Sequence, residues 1–386
     1  MIPYGRQDIN QADIDAVIDV LRSDYLTQGP LTPSFEEAVA NYCGAKYAVA
    51  VNSATSALHI ACLALGVGKG DIVWTTPITF AASANCALYC GATIDFVDID
   101  SRTNNISIEN LSEKLAAAKK IGKLPKALIP VHLCGQPCDM ASIYMLSKQY
   151  GFKIIEDASH AIGARYKDKP IGSCNFSDVT VFSFHPVKVI TTGEGGMSIT
   201  NDAVLANKMR LLRSHGITRN ESEMTHASEG SWYYQQIDLG YNYRMTEIQA
   251  ALGLSQFQRL DVFVTKRHAV ADRYDSLLAD LPLWTPPRAD GSYSAFHLYV
   301  IRLSLSRLNK THGQIFEFLR ARDIGINLHY IPIYHHPYYK NLGFKMGYCI
   351  EAENYYSEAI SLPLYPNLTT TEQDKVVAAI KEAIAV

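Results

Sequence analysis

No apolar run in this 386-residue chain reaches the 18 or so residues that a membrane-spanning helix needs, so helical spans are not expected. The first twenty residues, MIPYGRQDINQADIDAVIDV, lack a basic stretch followed by an apolar one, which argues against a secretory leader. Charge of one sign is missing too. With 35 Lys and Arg against 38 Asp and Glu, the formal net charge is −3, and no basic field exists to hold nucleic acid or an anionic membrane. Cysteine pairs at metal-binding spacing are absent: Cys86/Cys90 and Cys134/Cys138 are not C-x2-C, and no second pair matches them. The eight cysteines fall mostly inside apolar helix or strand patterns and read as reduced core thiols of a cytoplasmic protein. Internal repeats and low-complexity tracts are lacking as well.

What is present fits a folded enzyme-sized chain. Hydrophobic residues make up 48% and charged residues 19%, and 386 residues exceed what one core of about 250 to 300 residues holds, so two domains sharing a site are expected. Ile14, Val17, Ile18 and Leu21 mark an amphipathic helix over 10–24, and a second begins after Thr32. From there strands and helices alternate. The strand candidates are 48–51, 72–75, 93–97, 127–131, 153–156 and 179–184; helix candidates at 54–65, 81–89, 108–119 and 141–150 fall between the first five. Such alternation predicts a mostly parallel sheet wrapped by helices, with ligands beyond the carboxyl ends of the strands. Residues 246–278 read as one long helix, 217–231 as a polar mobile loop, and the rest as an α+β segment closed by a helix over 371–384.

The chemistry concentrates at strand ends. The stretch DVTVFSFHPVKVITTGEGGMSIT, 178–200, holds Lys188 in a glycine-rich loop between two β-branched runs. A lysine partly desolvated there offers a free amine near neutral pH, as a Schiff base with an aldehyde cofactor requires; a surface lysine in a hairpin fits this stretch equally well. Asn52-Ser53-Ala54-Thr55-Ser56 follows a strand and opens a helix, which makes either a phosphate site or an ordinary N-cap. Asp157 and His160 close the buried run 152–157, where a carboxylate calls for a positive partner such as a protonated pyridine nitrogen, or else caps the next helix. Phe80 could stack on a planar ring or belong to the core. GVGKGD (66–71) follows a helix and precedes a strand, the reverse of a dinucleotide fingerprint.

Together, NSATSAL (52–58), TTPITFAASANC (75–86), EDASHAIGA (156–164), FSFHPVKVITTGEGG (182–196), RSHG (213–216), GYNYRMTEIQAALG (240–253) and LHYIPIY (328–334) resemble the DegT/StrS family of pyridoxal-phosphate-dependent sugar aminotransferases over essentially the whole chain. The resemblance implies an α/β, aspartate aminotransferase-like fold (PLP fold type I). Its large domain, 1–250, would carry a mostly parallel seven-stranded sheet, and 251–386 would form a smaller α+β domain. It also implies pyridoxal 5'-phosphate as cofactor, Lys188 as Schiff-base lysine and proton shuttle, and Asp157 on the pyridine nitrogen. Ala54, Thr55 and Ser183 would hold the phosphate, Phe80 the ring face, and Asn242 a neighbouring subunit's phosphate site in a homodimer. His160, on the cofactor's phenolic oxygen side, stands where many members have glutamine; it can still donate a hydrogen bond, but its charge could vary with pH. Position 188 is lysine rather than the histidine of the dehydratase branch, which favours transamination.

DYLTQGP (24–30), the EDASH and HPVK variants and EAISLPLYPNL (358–368) are similar to the branch that moves an amino group from L-glutamate to C4 of a UDP-linked 4-keto-6-deoxy sugar bearing a 2-acetamido group, in pseudaminic acid biosynthesis. Tyr4, Arg219, His329 and Tyr330 are expected on the substrate side, with YHHPYY (334–339) near the entrance. No metal is expected, because His329 and the adjacent histidines lack a correctly spaced carboxylate or cysteine. The alternatives are an aminotransferase for another UDP-, dTDP- or GDP-linked 4-keto sugar or for a keto-cyclitol, and a non-catalytic protein of the same fold.

Overall fold

Short apolar strands bounded by turn residues bury both faces only when helices cover both sides, and that is the arrangement of the first 200 residues. In the computed structural model, which describes residues 1–385, the strands are β1 (Tyr47–Val51), β2 (Ile72–Thr75), β3 (Thr93–Phe96), β4 (Ala127–Ile129), β5 (Lys153–Asp157), β6 (Val179–Ser183) and β7 (Gly196–Thr200). They form one seven-stranded sheet in the order β1-β7-β6-β5-β4-β2-β3. Pairing is parallel from β3 to β6, while β7 runs antiparallel to both of its neighbours. The start of β7 therefore lies at the same edge as the ends of β1 and β6. In register, Val51, Gly196 and Ser183 sit side by side.

Alternation decides which face each residue buries. Ala48, Ala50 and Phe182 point into one core, and Val49, Val51, Val179 and Val181 into the other. The N-terminal helices α1 (Gln11–Arg22) and α2 (Leu31–Cys43) precede β1, and α3 (Ala54–Ala64) and α4 (Ala82–Tyr89) cover the second face. Asn10 caps α1, and Gly44, at φ 69°, closes α2 in the left-handed conformation that glycine adopts without cost. A third core gathers Tyr274, Tyr299, Ile301, Leu319 and Ile380 around a three-stranded antiparallel sheet of Leu283–Trp284, Tyr299–Leu303 and Ala359–Leu362.

Two expectations are corrected. Residues 246–278 are not one helix but two, Glu247–Phe257 and Leu260–Leu278. The break at Arg259 has a long-range cause: its guanidinium donates to Asp8 at 2.7 Å and Asp13 at 2.5 Å, while Gln256 donates to Asp13 at 2.6 Å, so the docked N-terminal segment sets the bend. The stretch 217–231 is locally organised. Ile217–Thr218 pairs with Gln235–Gln236, Glu221–Glu223 forms a 3-10 turn, and Thr218 donates to Glu223 at 2.6 Å. All eight cysteines are free, and no helix of the described residues is long and apolar enough to cross a membrane.

Candidate active site

A cleft of about 1100 Å³ opens at the edge where β1, β5 and β6 end and β7 begins. Its floor follows from the strand register. Ser183 ends β6, Asp157 ends β5, and the β1–α3 turn brings Ser53 as N-cap with Ala54 and Thr55 in the first helical turn. The turn can sit that close because β7 starts with glycine: a Cβ on Gly196 would lie 2.4 Å from the Ser53 carbonyl carbon and 2.5 Å from the Ala54 nitrogen. The Ser53 hydroxyl caps the helix, accepting from Ser56 N–H at 3.1 Å. The free N–H groups of the first turn and the Ser183 hydroxyl remain, at the positive end of α3, as an anion cradle.

Lys188 lies in the loop between β6 and β7 and reaches into the cleft half-buried. Burial pushes its ammonium down to about 8, and the carboxylate of Asp157, pulling the other way, limits the fall. Among the described residues lining the cleft it is the only lysine or arginine. Asp157 is buried. Its Oδ2 accepts from Ser83 Oγ at 2.6 Å and its Oδ1 from Ser159 N–H at 3.1 Å, and no helix follows for it to cap. Backbone bonds fix it further, since Asp157 N–H donates to the Pro130 carbonyl at 2.9 Å and Ala158 N–H to that of Val181 at 2.9 Å.

His160 is not the pH-variable group expected from its type. Burial first, then the neighbouring Lys188 and His329, hold its imidazole well below the usual range, so it is neutral. Its Nδ1 accepts from Cys134 N–H at 3.2 Å; the proton therefore sits on Nε2, which donates to Tyr330 Oη at 3.1 Å. Burial likewise pushes His329 down to about 3, and its Nδ1 meets Ser361 Oγ at 2.7 Å. Tyr330 leans toward Phe80 with ring centres 6.2 Å apart, and Phe80 leaves 62% of its surface open.

Ten predicted residues thus line one cleft: Tyr4, Ala54, Thr55, Phe80, Asp157, His160, Ser183, Lys188, His329 and Tyr330. Two do not. Asn242 lies exposed on a strand-like segment bridged to Ser214, outside this chain's cleft, and Arg219 stacks on Tyr234 at 5.3 Å in the ribbon region. Other residues of the site escaped sequence reasoning. Ser83 stands behind Asp157 and joins it to Thr79, which lines the cleft, and His297 packs on His160 at 4.5 Å between ring centres with its Nδ1 unpartnered. Within TTPITFAASANC a signal for Ser83 existed: it lies one turn from Phe80, on the strand-end side of α4.

Comparison with known proteins gives this arrangement relatives. The model of the DegT/DnrJ/EryC1/StrS aminotransferase family matches residues 7–381. The chain is 40% identical over 386 residues to the spore coat polysaccharide biosynthesis protein SpsC of Bacillus subtilis, covering 99% of this chain and 97% of that one. It is 39% identical over 370 residues to the UDP-4-amino-4,6-dideoxy-N-acetyl-beta-L-altrosamine transaminase of Campylobacter jejuni, covering 95% and 93%. Among solved structures, PseC of Helicobacter pylori, an aminotransferase of pseudoaminic acid biosynthesis, superposes with a TM-score of 0.90 at 34% identity over 99% of both chains.

Proposed function

The chain belongs to the DegT/DnrJ/EryC1/StrS aminotransferase family, whose cofactor is pyridoxal 5'-phosphate, and from that membership we propose that it moves the amino group of L-glutamate to C4 of a UDP-linked 4-keto-6-deoxy-2-acetamido-L-arabino-hexulose. The product would be UDP-4-amino-4,6-dideoxy-N-acetyl-β-L-altrosamine, a precursor in pseudaminic acid biosynthesis. The observation that carries the reaction class is one depressed lysine facing one buried carboxylate in a single cleft. Similarity to the Campylobacter jejuni transaminase supports the sugar. The equal similarity to SpsC supports a second reading, another nucleotide-linked 4-keto sugar.

The residues fit the cofactor. Ala54 and Thr55 N–H and Ser183 would hold its phosphate, in the cradle that Gly196 keeps open. Asp157 would face its ring nitrogen, neutral His160 its phenolic oxygen side, and Phe80 one face of the ring. When bound, the cofactor withdraws electrons from the carbon that gains or loses the amine and carries the amino group between the two substrates. Lys188 Nζ moves the proton: as a free amine it takes one from the α-carbon of glutamate, and as an ammonium it returns one at sugar C4. Asp157 keeps negative charge opposite the ring nitrogen, and the buried imidazoles of His160 and His329 add no competing cation beside Lys188. With no arginine lining the cleft, the anionic groups of glutamate and the nucleotide need cations from elsewhere. Arg219 meeting a diphosphate would supply one such cation, and in a homodimer Asn242 would add a neutral donor to the neighbouring subunit's phosphate site. Tyr4, His329 and Tyr330 then border the sugar.

The test is the absorption of the purified holoprotein on adding L-glutamate, followed by UDP-, dTDP- and GDP-linked 4-keto sugars in turn. Bleaching by glutamate and recovery with the UDP sugar is the expected result. Recovery with only a dTDP or GDP sugar overturns the proposed substrate, and no bleaching overturns the transamination.

A further inference from the structure

A carboxylate buried as deeply as Asp157, 4% exposed, is stable only if its lone pairs are occupied. Ser83 Oγ and Ser159 N–H occupy one site on each oxygen, at 2.6 and 3.1 Å. Ser83 itself is 0% exposed and Thr79 2%, and their hydroxyls are 2.7 Å apart. An ionised carboxylate accepts only, so the Ser83 proton is committed to Asp157. The Ser83 oxygen must then accept from Thr79 O–H. The order of donation, Thr79 to Ser83 to Asp157, follows from donor chemistry and needs no observed hydrogen. It links the turn after β2, which also carries Phe80, to the end of β5. Ser83 does not line the cleft and is fully buried.

We propose that Ser83 is a positioning residue for the transamination: with Thr79 behind it, it fixes the rotation and charge of Asp157 against the cofactor's ring nitrogen. The inference rests on Asp157 facing that nitrogen. Ser83 acts only through Asp157, so its loss changes how the cofactor is held before any substrate binds. A hydrogen bond to a charged, buried acceptor stabilises by about 1.5–3 kcal/mol, equivalent to roughly a 10- to 160-fold change in an equilibrium or rate.

The experiment compares Ser83→Ala, Thr79→Val, Asp157→Asn and the double variant Ser83→Ala/Asp157→Asn. It reads the cofactor Kd of the unloaded protein, the pH midpoint of the bound cofactor's absorption, and kcat and KM separately. Thermal melting of each unloaded variant establishes that it folds. Ser83→Ala is expected to weaken cofactor binding about 10-fold or more, shift the midpoint and lower kcat with little change in either KM. Thr79→Val should act in the same direction and less. On top of Asp157→Asn, Ser83→Ala should add less than about twofold to Kd, as expected for two groups acting as one unit. An unchanged Kd and midpoint in Ser83→Ala, alongside large changes in Asp157→Asn, overturns the inference. So does an equal loss with and without Asp157, which would mark a packing role. If Asp157→Asn changes neither readout, the assignment of the ring nitrogen fails, and the role of Ser83 fails with it.

Discussion

Lys188 makes the sharpest quantitative claim, because its behaviour follows chiefly from burial and can be read without substrate. An ordinary lysine titrates at 10.5, and burial brings this one to about 8. At pH 7 about one molecule in ten then carries the free amine, against about one in three thousand for the ordinary group, a gain of roughly 300-fold in nucleophile. In the cofactor-free protein, labelling by a small amine-directed reagent, resolved by peptide mass spectrometry, should rise about tenfold per pH unit up to about 8 at Lys188 and then level off. The two named causes predict a second sign. The Asp157 carboxylate raises the value against burial, so Asp157→Asn should move the plateau to lower pH. Stability gives a third. The folded value lies below the unfolded one, so the burden of a buried ammonium is complete below about pH 8 and fades as pH rises toward 10.5. Lys188→Met should therefore raise the melting temperature of the cofactor-free protein most at pH 7 and least near pH 10. A plateau at 10 or above, or an upward shift in Asp157→Asn, would refute the reasoning.

Gly196→Ala should cost about 1–3 kcal/mol in stability and weaken cofactor binding more than that alone explains, because the new methyl can be accommodated only by moving the first turn of α3; melting and Kd measured together check it. His160→Gln should keep turnover within a few-fold and leave the pH profile unchanged between 6 and 8, since the imidazole it replaces is already neutral there. A profile that flattens in the variant would show that His160 titrates after all.

What could be read from the sequence was whatever one strand and its turn decide together. Asp157 and Ser183 stand at the ends of apolar runs, and Ala54 and Thr55 follow a strand and open a helix, so their place on one sheet edge follows from alternation and the parallel crossover rule. Lys188 follows from them, being in the loop that joins β6 to its antiparallel neighbour β7. Tyr4 is different. It reaches the cleft because Ile2 bridges Ile324 and the Tyr4 carbonyl accepts from Leu364 N–H at 3.0 Å, contacts more than 300 residues apart that no local pattern encodes. The close fit is again a glycine's doing, as a Cβ on Gly325 would lie 2.6 Å from the Ile2 carbonyl oxygen. Arg259 shows the converse: a helix pattern strong enough to run through 246–278 is broken where Arg259 pairs with two aspartates near the start of the chain, Asp8 and Asp13. Ser83 fails for a subtler reason. A serine one turn from Phe80 has many possible partners, and only the burial of Asp157 opposite it selects one, so a site's supporting hydroxyls become legible only after its charges have been placed.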